Sequence, residues 1–220
     1  MEFEEWEPIY LDILENMGFD PGKDVEAARL LDSICPKDSI CGIECLGRRL
    51  GETATIVGHG PDLEEALERA EMRGTVISAD GATTSLLAIG VIPDIIVTDL
   101  DGNIGDEVES NILGSVAVIH AHGDNIDKIR EYLPLFSGLI TPTVQCRPFG
   151  NLFNFGGFTD GDRAAMLALH FGSRKIILIG FDFDNPRKKE GRTLEEKIRK
   201  LEWARRIILQ GTSQVELEII

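Results

Sequence analysis

Short runs of β-branched and apolar residues alternate with helical stretches over most of the chain after Gly51. This alternation constrains the fold strongly, because consecutive parallel strands need a crossover connection, usually a helix, between them. It predicts an α/β fold with a Rossmann-like, mostly parallel sheet and helices on both faces. The predicted strands span 54–57, 75–78, 95–98, 116–120, 138–141 and 175–179, and the predicted intervening helices span 63–73, 83–89, 126–133 and 162–171.

Two helices are predicted before the alternating part of the chain. Apolar residues at helical spacing indicate a helix over 3–17, ended by Gly18, and another over 24–34, ended by Cys35-Pro36. A further helix is expected over 194–209, and we expect a three-part organisation. Its parts are an N-terminal helical cap (1–50), an α/β catalytic domain (51–186) and a C-terminal basic helix and tail (187–220). Phe3 and Trp6 on the first helix are candidates for a homodimer surface.

The charge balance limits the classes of partner. There are 22 Lys and Arg residues against 38 Asp and Glu residues, which gives a formal net charge of −16. Such a surface repels nucleic acid and anionic membranes over most of its area. It is still compatible with a phosphate-bearing small molecule, because metal ions can lie between carboxylates and phosphates. The acidic N-terminus has no secretion-signal pattern, so we expect a cytoplasmic protein without a membrane span.

The four cysteines are Cys35, Cys41, Cys45 and Cys146. They form no CxxC pair, which argues against a zinc site and favours buried or spare thiols. A reducing compartment requires no disulfide, and none is expected.

Acidic, glycine and histidine residues follow nearly every predicted strand. Ligands of parallel α/β sheets bind at the carboxyl ends of the strands, where these loops would meet. One Asp after a strand is commonly a turn or a helix cap, but a series is less easily explained in that way. The segments are GHGPD (58–62), DG (80–81), DLDGN (99–103), HAHGDN (120–125) and GFDFD (180–184).

Asp99 and Asp101 form an Asp-x-Asp pair at the end of an apolar strand. In an extended chain their side chains would point the same way, and two carboxylates so close repel each other unless a cation joins them. Mg²⁺ commonly uses one or two carboxylates together with substrate phosphates, so the pair predicts a magnesium site. A simple turn after the strand is the alternative. Asp124 is a further candidate metal ligand. His120 and His122 either bind the metal, contact phosphate or, as we favour, pack and form hydrogen bonds within the fold.

Several segments have the character of an anion site. The glycine-rich entry to the helix in GGFTDGDRAAMLALHFG (156–172) offers backbone N–H groups, with Thr159 or Asp160 as the cap and Arg163 in the first turn. Basic residues from Arg187 to Arg192 either cover a polyphosphate or lie on a solvated surface. Neither GxxxxGK[ST] nor GxGxxG occurs, which argues against a P-loop kinase and a dinucleotide-binding domain.

The motif set as a whole resembles a known family. Ala79 to Asn103, ADGATTSLLAIGVIPDIIVTDLDGN, is similar to the thiamin pyrophosphokinase pattern, although Thr98 and Gly102 replace the glycine and serine of its metal motif. Together with VGHGPD, HAHGDN, NFGGFTDGDRA and IILIGFDF, it more closely resembles the archaeal MptE-like family of 6-hydroxymethyl-7,8-dihydropterin pyrophosphokinases. That family often has a serine where Asp62 stands.

The resemblance implies Mg²⁺-dependent transfer of diphosphate from ATP to the hydroxymethyl group of a reduced pterin, with release of AMP, in tetrahydromethanopterin or folate biosynthesis. It implies ATP as co-substrate and the pterin as the small-molecule partner. The implied catalytic residues are Asp80, Asp99, Asp101 and Asp124, with Mg²⁺ on Asp99, Asp101 and Asp124. The implied nucleotide-binding residues are Gly58, Gly60, Gly81, His122, Thr159, Asp160, Arg163 and Arg187. Phe153, Phe155 or Phe158 would supply an aromatic face for the pterin.

Three other functions fit the same motifs. Thiamin pyrophosphokinase performs the same chemistry on a different alcohol. In a glycosyltransferase, Asp99 and Asp101 would hold a metal on a nucleotide sugar. A nucleotide-sensing α/β module would bind ATP without turnover.

Overall fold

A computed structural model of the chain describes residues 1–185 and 193–220. Its centre is a seven-stranded sheet in the order β5-β4-β3-β2-β1-β6-β7, in which every neighbouring pair is parallel. The α/β class with a parallel sheet is therefore confirmed. The strands are β1 Thr53–Val57, β2 Thr75–Ala79, β3 Ile95–Thr98, β4 Val116–Ala121, β5 Ile140–Val144, β6 Lys175–Ile179 and β7 Glu216–Ile219.

The last strand, β7, is absent from the sequence prediction. Its residues alternate Glu, Leu, Glu and Ile and stay partly exposed at the sheet edge, so they form no apolar run. Lys175 on the neighbouring strand pairs with Glu218 at 3.1 Å and also contacts Glu216. The segment predicted as a tail thus extends the sheet beyond β6.

The helices fall close to the predicted positions, with two additions, α3 and α6. α6 is strongly polar, but the structure buries Glu107, Ser110 and Asn111 on it. None of the helices in the described part of the chain combines the length and the apolar character that a bilayer span requires. The bounds are α1 Phe3–Met17, α2 Pro21–Ile34, α3 Ile43–Gly47, α4 Leu63–Arg69, α5 Ala82–Ala88, α6 Ile104–Ile112, α7 Ile126–Tyr132, α8 Asp160–His170 and α9 Leu194–Gly211.

Apolar side chains cover both faces of the sheet. The smaller cluster joins Leu63 of α4 and Leu86 of α5 to Val57 and other strand residues. The larger cluster includes Phe3 and Trp6 of α1, which are 8% and 0% exposed. The interpretation of Phe3 and Trp6 as a homodimer surface is therefore wrong, because these side chains fill the chain's own core.

The cysteines also differ from expectation. Cys41 and Cys45 form a disulfide, so the expectation that the cysteines need none is wrong. Their Cα atoms lie 5.2 Å apart, within the range that a disulfide spans, because the short helix α3 turns the chain between them. Cys35 and Cys146 are buried free thiols, and burial raises the pKa of each to about 11.

Candidate active site

A cavity of about 840 Å³ opens at the carboxyl ends of the strands, where the parallel arrangement brings the acidic loops together. Arg187 and the neighbouring basic residues up to Arg192 lie outside the described residues. The predicted site residues that line the cavity are Gly58, Gly60, Asp80, Gly81, Asp99, Asp101, His122, Asp124, Thr159, Asp160 and Arg163.

Three carboxylates meet at the floor of this cavity. Asp80 follows β2, Asp99 follows β3 and Asp160 begins α8, and one oxygen from each lies within 4.8 Å of the other two. Three acidic groups at this spacing repel one another unless a cation or a proton lies between them. Asp99 belongs both to this cluster and to the predicted metal set, whereas Asp101 and Asp124 lie outside the cluster. The metal assignment of Asp101 and Asp124 stays a prediction.

The backbone conformation between Asp99 and Asp101 explains why Asp99 belongs to the acidic cluster and Asp101 does not. Strand β3 ends at Thr98, and Leu100 adopts a left-handed conformation with φ 64°. The extended geometry expected for Asp99 and Asp101 therefore does not hold. The carboxylate of Asp101 lies 3.8 Å from the Lys128 ammonium, a contact outside the Asp80–Asp99–Asp160 cluster. The Leu100 side chain is fully buried, which holds this uncommon conformation in place.

Asp80 has the second left-handed backbone among the described residues other than glycine, with φ 48°. Its N–H donates to the Val97 carbonyl at 2.8 Å, which fixes the turn against β3. Gly102 packs against its carboxylate, because a Cβ at that position would lie 2.7 Å from Asp80 Oδ1 and 2.8 Å from Glu107 Oε1. A glycine in DLDGN is thus required for the close approach of the acidic groups.

Asp99 is held as an ionised group. His122 Nε2 lies 3.1 Å from Asp99 Oδ2. Burial alone would raise the pKa of Asp99, but the hydrogen bond and charge of His122, with Arg163 and Lys128 nearby, hold it well below its usual range. Within the described residues, Asp99 Oδ1 is buried and accepts no hydrogen bond. One oxygen of an ionised carboxylate is therefore left for a ligand.

The pKa values of Asp160 and Glu107 are raised, whereas that of Asp99 is lowered. Burial, followed by the charge of Asp99, raises the pKa of Asp160 well above its usual range. Burial and the charge of Asp80 raise the pKa of Glu107 to about 9. Sequence reasoning missed Glu107, which lies on the unpredicted helix α6 and is fully buried behind Asp80. The acidic cluster therefore holds more potential negative charge than its surroundings neutralise.

The entry to α8 supplies a positive group. Thr159 and Asp162 form a capping box, and Asp162 accepts the Phe158 N–H and the Thr159 N–H at 2.7 Å each. Thr159 is thus the cap, leaving Asp160 to join the acidic cluster. Arg163 Nη1 donates to Asp160 Oδ1 at 3.1 Å, and the arginine is 7% exposed at the cavity wall.

The glycine loops pack closely against other parts of the backbone. The Gly60 N–H donates to the Gly180 carbonyl at 2.8 Å, and a Cβ on Gly60 would lie 2.4 Å from that oxygen. A Cβ on Gly81 would lie 2.3 Å from the His59 ring. Close packing thus accounts for these glycines whether or not the loops also contact phosphate.

His120 and His122 have different surroundings. His120 is buried and lies 3.1 Å from Thr143 Oγ1, through its Nδ1. Burial and the charge of Arg163 lower the pKa of His120 well below its ordinary value. His120 packs in the core as favoured from the sequence, while His122 reaches the cavity and Asp99.

Aromatic residues also line the cavity, and Phe19 and Phe158 are two of them. Phe158 and Phe19 lie 6.2 Å apart between ring centroids, and the Lys200 ammonium lies 5.5 Å and 5.8 Å from the Phe19 and Phe158 rings. Phe153 and Phe155 instead stack on each other and are not among the residues that line the cavity. Phe19 comes from the turn between α1 and α2, which the sequence reading did not connect with the site.

A parallel α/β fold with an acidic cluster and an arginine at the strand ends is chemically suited to phosphate groups held together with a cation. A sequence model of the family described as 6-hydroxymethylpterin diphosphokinase MptE-like matches residues 38–188. The chain belongs to this family.

Three relatives bear the name 6-hydroxymethyl-7,8-dihydropterin pyrophosphokinase. The protein from Pyrococcus furiosus is 42% identical over 94% of this chain and 93% of its own length. The protein from Methanocaldococcus jannaschii is 38% identical over the whole of both chains. The protein from Methanothermobacter thermautotrophicus is 45% identical over 83% of this chain and 79% of its own length.

Solved structures show more distant similarity. The MAf glycosyltransferase from Magnetospirillum magneticum aligns with a TM-score of 0.47 and 18% identity over 78% of this chain and 34% of that chain. Thiamine pyrophosphokinase from Bacillus subtilis aligns with a TM-score of 0.40 and 16% identity over 76% of this chain and 60% of that chain. The chain thus spans less than two thirds of either structure.

Proposed function

We propose that this chain transfers the diphosphate of ATP to the hydroxymethyl group of 6-hydroxymethyl-7,8-dihydropterin, giving AMP and the pterin diphosphate. The carrying observation is the Asp80–Asp99–Asp160 cluster, whose buried Asp99 Oδ1 has no hydrogen-bond donor among the described residues. It lies within the part of the chain that matches the family. The relatives' shared name supports this reaction.

The donor set fits Mg²⁺. Carboxylate oxygens are hard ligands, and three of them converge from two strand ends and one helix start. Asp80, Asp99 and Asp160 would hold the ion in this proposal, and Mg²⁺ when bound would neutralise the charge of the phosphate oxygens. The carboxylates would hold the ion at the carboxyl end of the sheet, and the phosphates of ATP would then bind at the same end of the cavity.

The remaining residues bind and orient the substrates. Transfer requires the pterin hydroxyl to approach the β-phosphorus in line with the departing AMP oxygen, so positioning contributes more than covalent chemistry. Arg163, a fixed cation beside Asp160, is suited to a phosphate oxygen. His122 holds the Asp99 carboxylate in one orientation. Phe158, next to the α8 start, offers a ring face for the pterin within reach of these groups.

The experiment follows the nucleotide product. The purified protein is incubated with ATP, Mg²⁺ and 6-hydroxymethyl-7,8-dihydropterin, and nucleotides and pterins are separated chromatographically. AMP and pterin diphosphate in equal amounts would support the proposal. AMP formed only with thiamin would identify a thiamin pyrophosphokinase, and nucleotide release only from a nucleotide sugar would identify a glycosyltransferase. ATP binding without turnover would contradict the proposed reaction. Folate and tetrahydromethanopterin biosynthesis both use this product type, as the family resemblance implies.

A further inference from the structure

Of the two N-terminal helices, α2 contributes a buried acidic residue to the wall of the active-site cavity. Asp24 of α2 is 3% exposed and lines the cavity. Its Oδ2 accepts the Tyr10 hydroxyl at 2.7 Å and the Gln145 side-chain amide at 2.8 Å, while its Oδ1 accepts the Gly123 N–H at 2.8 Å. Both oxygens are thus occupied, so the carboxylate is built into the protein and is not arranged to receive a ligand.

Gln145 connects this carboxylate to the arginine of the site. Its Nε2 faces Asp24, and its Oε1 lies 3.5 Å from Arg163 Nη2. The main chain of Gln145 is fixed independently, because its carbonyl accepts the Trp6 indole N–H at 2.8 Å. The side-chain amide therefore lies between an acceptor and a donor that both belong to rigid elements.

The chemistry of the two ends allows only one direction of hydrogen bonding. An ionised carboxylate only accepts hydrogen bonds, and a guanidinium only donates them. Gln145 must therefore direct its NH₂ group to Asp24 and its oxygen to Arg163. The reverse orientation would place two acceptors at one end and two donors at the other, in a buried setting where unpaired polar groups cost about 1–3 kcal/mol each.

The Oδ1 atom of Asp24 contacts the loop that carries His122. Gly123, whose N–H it accepts, directly follows His122, and His122 Nε2 lies 3.1 Å from Asp99 Oδ2. A Cβ on Gly123 would lie 2.7 Å from Lys23 Cβ, so α2 packs closely on this loop. One carboxylate is thus linked to Arg163 through Gln145 and to Asp99 through the His122 loop.

We propose that Asp24 is a positioning residue for diphosphoryl transfer: its carboxylate fixes the Gln145 amide, and through it the Arg163 guanidinium, in the orientation that meets the transferred phosphates. The inference rests on the proposed function for the reaction but concerns residues outside the Asp80–Asp99–Asp160 cluster. It assigns a catalytic requirement to the N-terminal helices, which lie before residue 38, where the match to the family begins.

A polarity exchange tests the proposal. Asp24→Asn replaces one acceptor oxygen by a donor, so in either orientation its NH₂ group meets another donor, the Gln145 NH₂ group or the Gly123 N–H, and one of the two contacts is lost. Gln145→Glu places a second carboxylate against Asp24. In the double variant, the asparagine amide at position 24 donates to the new carboxylate at position 145, which also accepts from Arg163. The direction of every bond at Arg163 and the net charge of the pair are thereby restored.

We measure kcat, the KM for each substrate and thermal unfolding for the wild type, both single variants and the double variant. We expect each single variant to lose at least about tenfold in kcat, because a small misplacement of a reacting group has effects of this size. We expect the KM values to change by less than about threefold, since the altered group acts on orientation more than on uniform binding. The double variant should recover most of the lost kcat, a non-additive result diagnostic of direct coupling.

Asp12→Asn is the matched control. It is the same change on α1, at an exposed position, and wild-type kinetics are expected. Asp24→Asn with wild-type kcat would overturn the proposal. It would also be overturned by folded single variants whose kcat losses simply multiply in the double variant. Absence of activity in the wild type would instead contradict the proposed function, and binding of a non-hydrolysable ATP analogue then separates that outcome from loss of the nucleotide site.

Discussion

His122 Nε2 lies 3.1 Å from Asp99 Oδ2, and this contact joins the ends of two adjacent strands, β3 and β4, at the cavity floor. Asn125 strengthens the junction, because its amide donates to the Asp99 carbonyl at 2.9 Å and to the His120 carbonyl at 2.7 Å. The orientation of Asp99 is thereby fixed on both its main chain and its side chain. Its Oδ1 is buried without a hydrogen bond among the described residues, and Asp99 shares the acidic cluster with Asp80 and Asp160.

The membership of the metal site can be tested by comparing two aspartates. Asp160→Asn removes one proposed metal-binding carboxylate from the acidic cluster but keeps an oxygen for Arg163, so we expect kcat to fall on the order of 100-fold, since even the loss of a group that supports a metal ligand costs up to that much. Asp124 is exposed and lies outside the cluster, and Asp124→Asn should change kcat by less than about fivefold. Activity is measured as a function of Mg²⁺ concentration, and only Asp160→Asn should require more Mg²⁺.

Asp127→Asn provides a control for removing negative charge, since that side chain is 96% exposed on α7. A larger loss of kcat for Asp124→Asn than for Asp160→Asn would contradict the cluster and favour the metal set expected from the sequence. Unchanged Mg²⁺ dependence in Asp160→Asn would remove this residue from the site.

The strand ends could be predicted from the sequence, but the acidic cluster could not. β-branched periodicity places Asp80 and Asp99 at the ends of adjacent strands, which the structure confirms. Asp160 joins them from a position 80 residues after Asp80, while Asp101, which follows the left-handed Leu100, is not part of the cluster. A single left-handed residue interrupts the extended geometry on which the expected side-chain alternation depends.

Glu107 and the α1–α2 turn were missed for a related reason. Glu107 lies in IGDEVESNI, a sequence that has the composition of a solvated helix, and buried Glu is rare unless it has a partner. Phe19 and Asp24 precede the first strand by many residues, so only tertiary packing brings them to the cavity. The apolar spacing that predicted α1 and α2 carried no information on where these helices dock.

The close approach at Gly102 gives a second prediction. A methyl group added there would lie 2.7 Å from Asp80 Oδ1, so Gly102→Ala should displace the Asp80 carboxylate. We expect the free energy of unfolding to fall by about 1–3 kcal/mol, as overpacking of a buried site does. kcat should fall on the order of tenfold because the displaced group is in the proposed metal site. Denaturant titration and steady-state kinetics measure the two effects.

Gly51→Ala is the control for this substitution. The nearest atom to an added Cβ at Gly51 is 3.8 Å away, and its backbone is not left-handed. Stability and kcat should stay close to the wild-type values. A Gly102→Ala protein that is equally stable and active would show that Asp80 can relax without consequence.

The two tryptophans provide a third prediction. Trp6 is fully buried and its indole N–H donates to Gln145, whereas Trp203 is partly buried beneath Arg206. Trp6→Ala should lower the free energy of unfolding by about 3–5 kcal/mol, the range for removing a large core side chain. Trp203→Ala should have a clearly smaller effect. Denaturation curves and size-exclusion chromatography are recorded together. A dissociated but equally stable Trp6→Ala protein would restore the dimer-surface interpretation.

The cysteines give the last prediction, because the structure assigns two of them to a disulfide and two to buried thiols. Burial raises the pKa of Cys35 and Cys146 to about 11, so at pH 8 only about one thousandth of each is thiolate, and thiolate is the reactive form. A thiol reagent should therefore label the folded protein slowly at pH 8. The raised pKa values favour the folded state at pH values below the unfolded thiol pKa of about 8.5, and this contribution is lost as the pH rises towards about 11.

Unfolding without a reductant should expose two reactive thiols, and reduction should raise the number to four. Cys35→Ser should remove one thiol from the unreduced count. Four thiols before reduction would contradict the disulfide, and rapid labelling of the folded protein would contradict the burial of both thiols.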